Sequence, residues 1–269
     1  MSTAGGPLAA DELAAVVTAL GRPLDAILWY ADFACPPPLR ELDAVHRAGA
    51  IPVTTWEPWL WADPTTPVMG ALRTGHHDEH VRKWAAALGG HGRPVWLRFA
   101  HEFNGHWYPW SPAGGTDPSA YLAAWRRIHD IFIDEGATNV RWMWSPNVVL
   151  SDGAALADWY PGRDYVDLIG VDGYNWGTSR QWSHWVQPRE LCSDTVSRVR
   201  ELADDLPVLV SEVGCAESGG DKPAWITAFV DWLTDSEVDG FIWFEHDKET
   251  DWRIASTPAA AAAMAAALR

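Results

Sequence analysis

Short, continuously apolar runs alternate along the chain with longer amphipathic stretches. The runs are AILWYADF (26–33), AIPVTTW (50–56), PVWLRFA (94–100), NVRWMWS (139–145), YVDLIGVDGY (165–174), PVLVSEV (207–213) and GFIWFE (240–245). Their Val, Ile and aromatic content favours strands. Their lack of polar alternation predicts strands covered on both faces, as in a parallel sheet. The stretches between them carry helical spacing. DELAAVVTALG opens with Asp11 as its expected cap and closes at Gly21. PLRELDAVHRAG closes at Gly49, DEHVRKWAAALGG at Gly89 and DPSAYLAAWRRIHDIFIDEG at Gly136. Glycine accepts the left-handed turn that ends a helix. SDTVSRVRELADD, KPAWITAFVDWLTD and TPAAAAAMAAALR complete the set.

This regular alternation predicts α/β architecture: a single (β/α)8 barrel domain, a TIM barrel, over residues 1–269. Seven strands can be read, and the chain opens on a helix where such a barrel opens on a strand. The first strand is therefore expected to be missing or atypical, because MSTAGGPLAA is polar and Gly-rich. A doubly wound open sheet is the alternative, but no G-x-G-x-x-G turn follows the first strand to support it.

Composition narrows the function classes. With 36 Asp+Glu against 20 Lys+Arg, the formal charge is -16. Nucleic acid and anionic membrane surfaces both call for clustered positive charge, so neither is expected as a partner. No apolar run reaches the length of a membrane span. The N-terminal residues show no basic stretch followed by a cleavable apolar core, so no signal peptide is visible. Three cysteines, Cys35, Cys192 and Cys215, are too few for a disulfide scaffold. The outlier is tryptophan, 19 residues against 7 Phe and 6 Tyr. About half are expected in the core, and the rest suggest flat apolar platforms of the kind that stack on sugar rings.

Catalytic groups in a barrel of this type sit at the C-terminal ends of strands. Those ends hold Trp56 and Glu57; His101, Glu102, Asn104 and Trp107; Ser145 and Asn147; Asp172, Tyr174, Asn175 and Trp176; Glu212; and Trp243, Glu245 and His246. Glu102 and Glu212 follow, or fall within, the last residues of buried strands. Two facing carboxylates are what glycoside hydrolysis needs, one a protonated acid and the other a nucleophile or base. Their environments must be opposite, aromatic and apolar for the acid, donor-rich for its partner. FAHEFNGHWYPW supplies the first to Glu102, and Tyr174 could donate to Glu212.

Other signals carry less. His76, His77 and His80 in GHHDEH could suggest a metal, but the segment opens a helix whose N-terminus favours Asp78 and Glu79, and no metal or cofactor is expected. His101-Glu102 lacks the second histidine of a zinc H-E-x-x-H, since Gly105 stands there. GGDK (219–222) reads as a helix entry with Asp221 near the cap. Ser211 lacks the glycines of a nucleophile elbow, and Cys215 reads as a buried inert thiol.

RFAHEFNGHWYPW (98–110), SPN (145–147), YVDLIGVDGYNWG (165–177), SEVG (211–214) and WFEHDKETDWRI (243–254) resemble, in that order, glycoside hydrolase family 26. The resemblance runs from about residue 25 to residue 257. It implies a retaining endo-β-glycanase with Glu102 as acid/base and Glu212 as nucleophile. It further implies that His101 and Asn104 bind the sugar, that Tyr174 hydrogen-bonds the nucleophile, and that Arg98 orients the carboxylates. Trp107 and Trp252, with Trp56, Trp110 and Trp176, would be the aromatic platforms. The implied partner is a β-linked polysaccharide or oligosaccharide, and a monomer, secreted as such enzymes are, is the expectation. Trp107-Tyr108-Pro109-Trp110 departs from the mannanase pattern and is more similar to the family's mixed-linkage β-glucanases, so β-1,4-mannan and mixed-linkage β-1,3-1,4-glucan both stay open. A binding-only protein on a degenerate barrel is the alternative from another class.

Overall fold

A computed structural model describes residues 1–149 and 155–269. Each apolar run becomes a strand: β2 (Ala26–Asp32), β3 (Ile51–Glu57), β4 (Val95–Phe99), β5 (Val140–Trp144), β6 (Leu168–Asn175), β7 (Val208–Cys215) and β8 (Gly240–Glu245). With β1 (Ser2–Thr3) they form one parallel sheet in the order β1-β8-β7-β6-β5-β4-β3-β2. The first strand is thus present inside the segment that looked too polar to hold it. Two residues are too few to display a periodicity, so only pairing reveals them: Ser2 lies opposite Phe244 and Thr3 opposite Glu245. On the other side the Leu28 N–H donates to the Met1 carbonyl at 2.8 Å, which brings β2 against the same segment and nearly closes the barrel.

Helices α1 (Ala10–Leu20), α2 (Leu39–Arg47), α3 (Val68–Arg73), α4 (Asp78–His91), α5 (Pro118–Asp134), α6 (Leu156–Trp159), α7 (Pro188–Leu202), α8 (Lys222–Asp235) and α9 (Pro258–Ala267) follow the strands. Three boundaries differ from the sequence reading. Asp11 lies in the first turn of α1, whose cap is Ala9. α4 runs through Gly89 and stops at Gly92, which takes the left-handed conformation. α7 starts at Pro188, where proline's fixed φ suits a first helical turn. Asp221 does cap α8, accepting from the Ala224 N–H at 3.0 Å.

Alternation along each strand sorts the side chains. One set faces the helices and joins the large core that contains Trp56, Trp84, Trp125, Trp142, Trp144, Trp225 and Trp243. More than half of the tryptophans are buried, more than composition suggested. The other set fills the barrel. Its lower layer is apolar: Leu28, Val53, Met143, Leu168, Leu209 and Ile242, with Trp96 packed against them. Two residues further along the same strands come Tyr30, Thr55, Arg98, Ser145, Gly170, Ser211 and Phe244, so the next layer is largely polar. Gly170 is required there, because a Cβ would meet the Ser211 Oγ at 2.1 Å and the Ser145 Oγ at 2.5 Å. The catalytic candidates sit directly on this polar floor.

Candidate active site

Arg98 is the centre of the floor. It is fully buried, and its guanidinium donates in three directions: Nε to Thr55 Oγ1 at 2.9 Å, Nη1 to Asp172 Oδ2 at 2.8 Å, and Nη2 to Glu212 Oε1. Asp172 also accepts from Ser211 Oγ at 2.6 Å, and the Ser145 and Ser211 hydroxyls lie 2.7 Å apart. Burial pushes the Asp172 carboxyl up while the Arg98 charge pulls it down. A guanidinium stays protonated under all these conditions, and its planar fork suits two carboxylates at once.

Glu212 rises from β7 onto this base. Its second oxygen accepts from the Tyr174 hydroxyl at 2.5 Å. Tyr30 shares the cleft, with the Arg98 guanidinium 5.8 Å from its ring centre, and burial and the Glu212 carboxylate raise its phenol well above the usual range.

Glu102 stands on the turn after β4. It and Ala100 both have positive φ, 51° and 47°, on either side of His101. Such backbone costs a non-glycine residue about 1–3 kcal/mol and persists only where neighbours enforce it. Here the Glu102 N–H donates to the Ser145 carbonyl at 2.7 Å, and Trp110 Nε1 grips the His101 carbonyl at 2.6 Å. The Glu102 carboxyl receives Asn147 Nδ2 at 2.7 Å and Trp107 Nε1 at 2.8 Å. Burial, and then the negative charge of Glu212, nevertheless raise it to about 7; those two donors and Arg98 only partly offset this.

The remaining expected residues divide by position. Trp107 is 40% exposed beside Glu102 and keeps an open face. Asn104 turns away from the cleft: its amide holds the Asn147 backbone, donating to the carbonyl at 2.9 Å and accepting from the N–H at 2.8 Å. His101 is buried, with Nε2 3.1 Å from the Tyr108 hydroxyl and no partner for Nδ1. Burial, with Arg98 nearby, holds its pKa well below the usual range, so the ring is neutral. Trp252 lies buried behind Tyr174, ring centres 5.0 Å apart, and Trp176 packs edge-on against it at 4.7 Å. Trp252, Trp56 and Trp110 do not fit the expectation of open platforms, since all three are buried. Trp56 is fully buried, stacked on Trp84 at 4.2 Å and Phe33 at 5.1 Å, because its strand position faces the helices. Trp110 is fully buried under Tyr108, stacked at 4.2 Å.

Three participants carried no assigned role at the sequence level. Asn147 and Asp172 stood among the strand-end residues without one. Tyr30 lies two residues beyond Leu28 on the barrel-facing register, the one signal in the sequence that points to it. Glu57, at the end of β3, accepts from Trp61 Nε1 at 2.7 Å and Trp59 Nε1 at 3.1 Å, both on Oε2. A groove of about 730 Å³ opens beside it, lined in part by Trp59, Trp107 and Tyr108.

Among the described residues, no cluster of three or more His, Cys, Asp or Glu is placed to hold a metal ion. His80 Nε2 contacts the Phe33 carbonyl at 2.6 Å, and His76 Nδ1 contacts Thr74 Oγ1 at 2.7 Å. Asp78 pairs with Arg127. The Cys215 thiol is buried and pushed up to about 12 by that burial. No helix among the described residues is long and apolar enough to cross a membrane.

Comparison with known proteins places the chain in a family. Endoglucanase H of Acetivibrio thermocellus is 37% identical over 254 residues, covering 90% of this chain and 27% of that protein. Mannan endo-1,4-beta-mannosidase A and B of Caldalkalibacillus mannanilyticus is 29% identical over 161 residues, 54% of this chain and 28% of that protein. The chain thus spans about a quarter of the length of these relatives. Among solved structures, the GH26 beta-mannanase BoMan26A from Bacteroides ovatus superposes with a TM-score of 0.67 at 16% identity, covering 94% of this chain and 81% of that one. That likeness concerns the fold, a (β/α)8 barrel. Residues 73–213 match the model of Glycosyl hydrolase family 26, and they include Glu102 and Glu212. The chain therefore belongs to glycosyl hydrolase family 26.

Proposed function

We propose that the chain is a retaining endo-β-glycanase that works by double displacement, with Glu102 as acid/base and Glu212 as nucleophile. The observation that carries this reading is the contrast between the two buried carboxyls. Glu102 sits in an aromatic, desolvated setting that favours its protonated form, whereas Glu212 is gripped by a guanidinium and a phenol. In the first step Glu102 gives its proton to the glycosidic oxygen. The C–O bond breaks as a Glu212 oxygen bonds to the anomeric carbon. In the second, Glu102 takes a proton from water, whose oxygen displaces Glu212 and restores the original configuration. Arg98 and Tyr174 aim the nucleophile, and Asn147 and Trp107 aim the acid.

The substrate we favour is a β-glucan, with mixed linkages first and β-1,4-mannan second. The relative named an endoglucanase aligns over 90% of this chain, whereas those named mannosidases align over 31 to 54%. Incubation with mixed-linkage β-glucan, β-1,4-mannan and β-1,3-xylan, followed by proton NMR of the earliest products, tests both parts. Oligosaccharides in the β configuration should accumulate first from the glucan. Products that start in the α configuration would overturn retention, and no product from any polymer would overturn the glycanase reading.

A pH dependence follows. The first step needs Glu102 protonated, and that form is lost as pH rises through about 7. The kcat/KM should therefore fall roughly tenfold per pH unit above that point. Trp107→Phe removes a donor that favours the ionised carboxyl, so it should move this limb to higher pH. A limb that stays in place in the variant would count against Glu102 as the group titrating.

A further inference from the structure

The loop between β6 and α7 carries three tryptophans, Trp176, Trp182 and Trp185. Trp182 is 70% exposed, more than any other large apolar side chain described. An exposed indole at the tip of a loose loop would be unremarkable, but this loop is tightly held. Buried Asn175 accepts through Oδ1 from the Gly177 N–H at 3.2 Å and the Val186 N–H at 3.1 Å. Ser183 Oγ donates to the Gly177 carbonyl at 2.8 Å, and the Thr178 N–H donates to the Ser218 carbonyl at 3.0 Å. Arg180 crosses to the neighbouring loop, donating to the Glu249 carbonyl at 2.6 Å, and lies over the Trp176 ring. A loop ordered to this degree could bury its indole; instead it presents Trp182 to solvent in a set orientation.

Trp182 is also continuous with the candidate nucleophile. From Glu212 the hydroxyl of Tyr174 leads to its ring. That ring touches Trp252, Trp252 meets Trp176 at 4.7 Å, and Trp176 meets Trp182 at 5.3 Å. The result is a chain of packed rings, Trp252 buried within it, that links the reaction centre to Trp182. We propose that Trp182, backed by Trp176, is a distal glycan-binding subsite that stacks on the C–H face of a pyranose ring several positions from the bond being cleaved. The proposal rests on the glycanase reading. Its occupant is a stretch of the same polysaccharide chain. Such a ring is neutral and flat with axial hydrogens exposed, which matches an exposed indole better than a charged ligand would in this strongly acidic protein, -16 overall. A subsite at this distance gathers long chains and has no hold on short ones.

The test compares the intact chain with Trp182→Ala and Trp182→Tyr. Retardation in native gels containing soluble mixed-linkage β-glucan is read on a Glu212→Ala background, so that the gel is not digested. Turnover of the same polymer and of a short chromogenic disaccharide is read on the otherwise unaltered chain. Trp182→Ala should weaken retardation and raise KM for the polymer roughly five- to tenfold, leave disaccharide kcat/KM unchanged, and be rescued by Trp182→Tyr. Polymer KM and retardation unchanged in Trp182→Ala, with turnover intact, would overturn the subsite and leave the glycanase reading standing. Retardation that depends on Trp182 without turnover would overturn the catalytic reading alone. A change in sedimenting mass with glycan retardation unaltered would assign Trp182 to a protein contact and overturn the proposal.

Discussion

Glu212→Ala is expected to lower turnover of the preferred β-glycan by roughly 10⁴- to 10⁶-fold, the scale seen when a covalent nucleophile is deleted. The fold should survive. Arg98 keeps Asp172 at 2.8 Å and Thr55 at 2.9 Å, and Tyr174 stays packed on Trp252. The loss therefore belongs to chemistry, and near-UV circular dichroism should match the unaltered chain. Residual activity above about one per cent in a folded variant would remove Glu212 from the nucleophile's role. Saccharide binding should persist, since the flanking aromatic rings and the Glu102 cluster are untouched.

Arg98→Met is expected to damage stability and activity together. The side chain is fully buried, and its removal leaves Asp172 and Glu212 without their shared cation. Breaking a buried pair from one side costs about 3–5 kcal/mol, because an uncompensated charge stays behind. Here two carboxylates lose one partner, so the upper part of that range is expected in urea or thermal unfolding. Arg98→Lys separates the two effects. A lysine restores a positive charge but cannot reach Thr55, Asp172 and Glu212 from one planar fork. It should recover much of the stability and little of the activity. An Arg98→Met protein that unfolds at the same denaturant concentration as the parent would refute the account of the floor.

The architecture was largely legible in the sequence, and so were the strand-end positions of Glu102 and Glu212. Continuous apolar runs cannot be amphipathic surface strands, and helices between them leave a parallel barrel as the economical solution. Strand ends hold several acids, Glu57, Glu102, Asp172, Glu212 and Glu245 among them, and the aromatic run around Glu102 and the Tyr174 donor beside Glu212 marked those two as the candidates. β1 escaped because Ser2 and Thr3 are defined by their partners on β8, not by any pattern of their own. Residue type alone does not tell a buried tryptophan from an open one. Trp56 and Trp107 are the same residue type near adjacent strand ends, yet one is sealed against Trp84 and Phe33 and the other is 40% open.

What the sequence by itself determined is whatever depends on local period and residue chemistry: strand, helix, and a carboxyl at a strand terminus. What only tertiary structure decided is which neighbours meet that carboxyl. Asn147 reaches Glu102 from 45 positions away, and Arg98 reaches Glu212 across 114. Burial shared among several strands, not any property of glutamate, carries Glu102 to about 7 and leaves Glu212 between a guanidinium and a phenol. The two acids are the same in sequence and differ only in what the barrel packs around them, because desolvation and hydrogen bonding are properties of the assembled site.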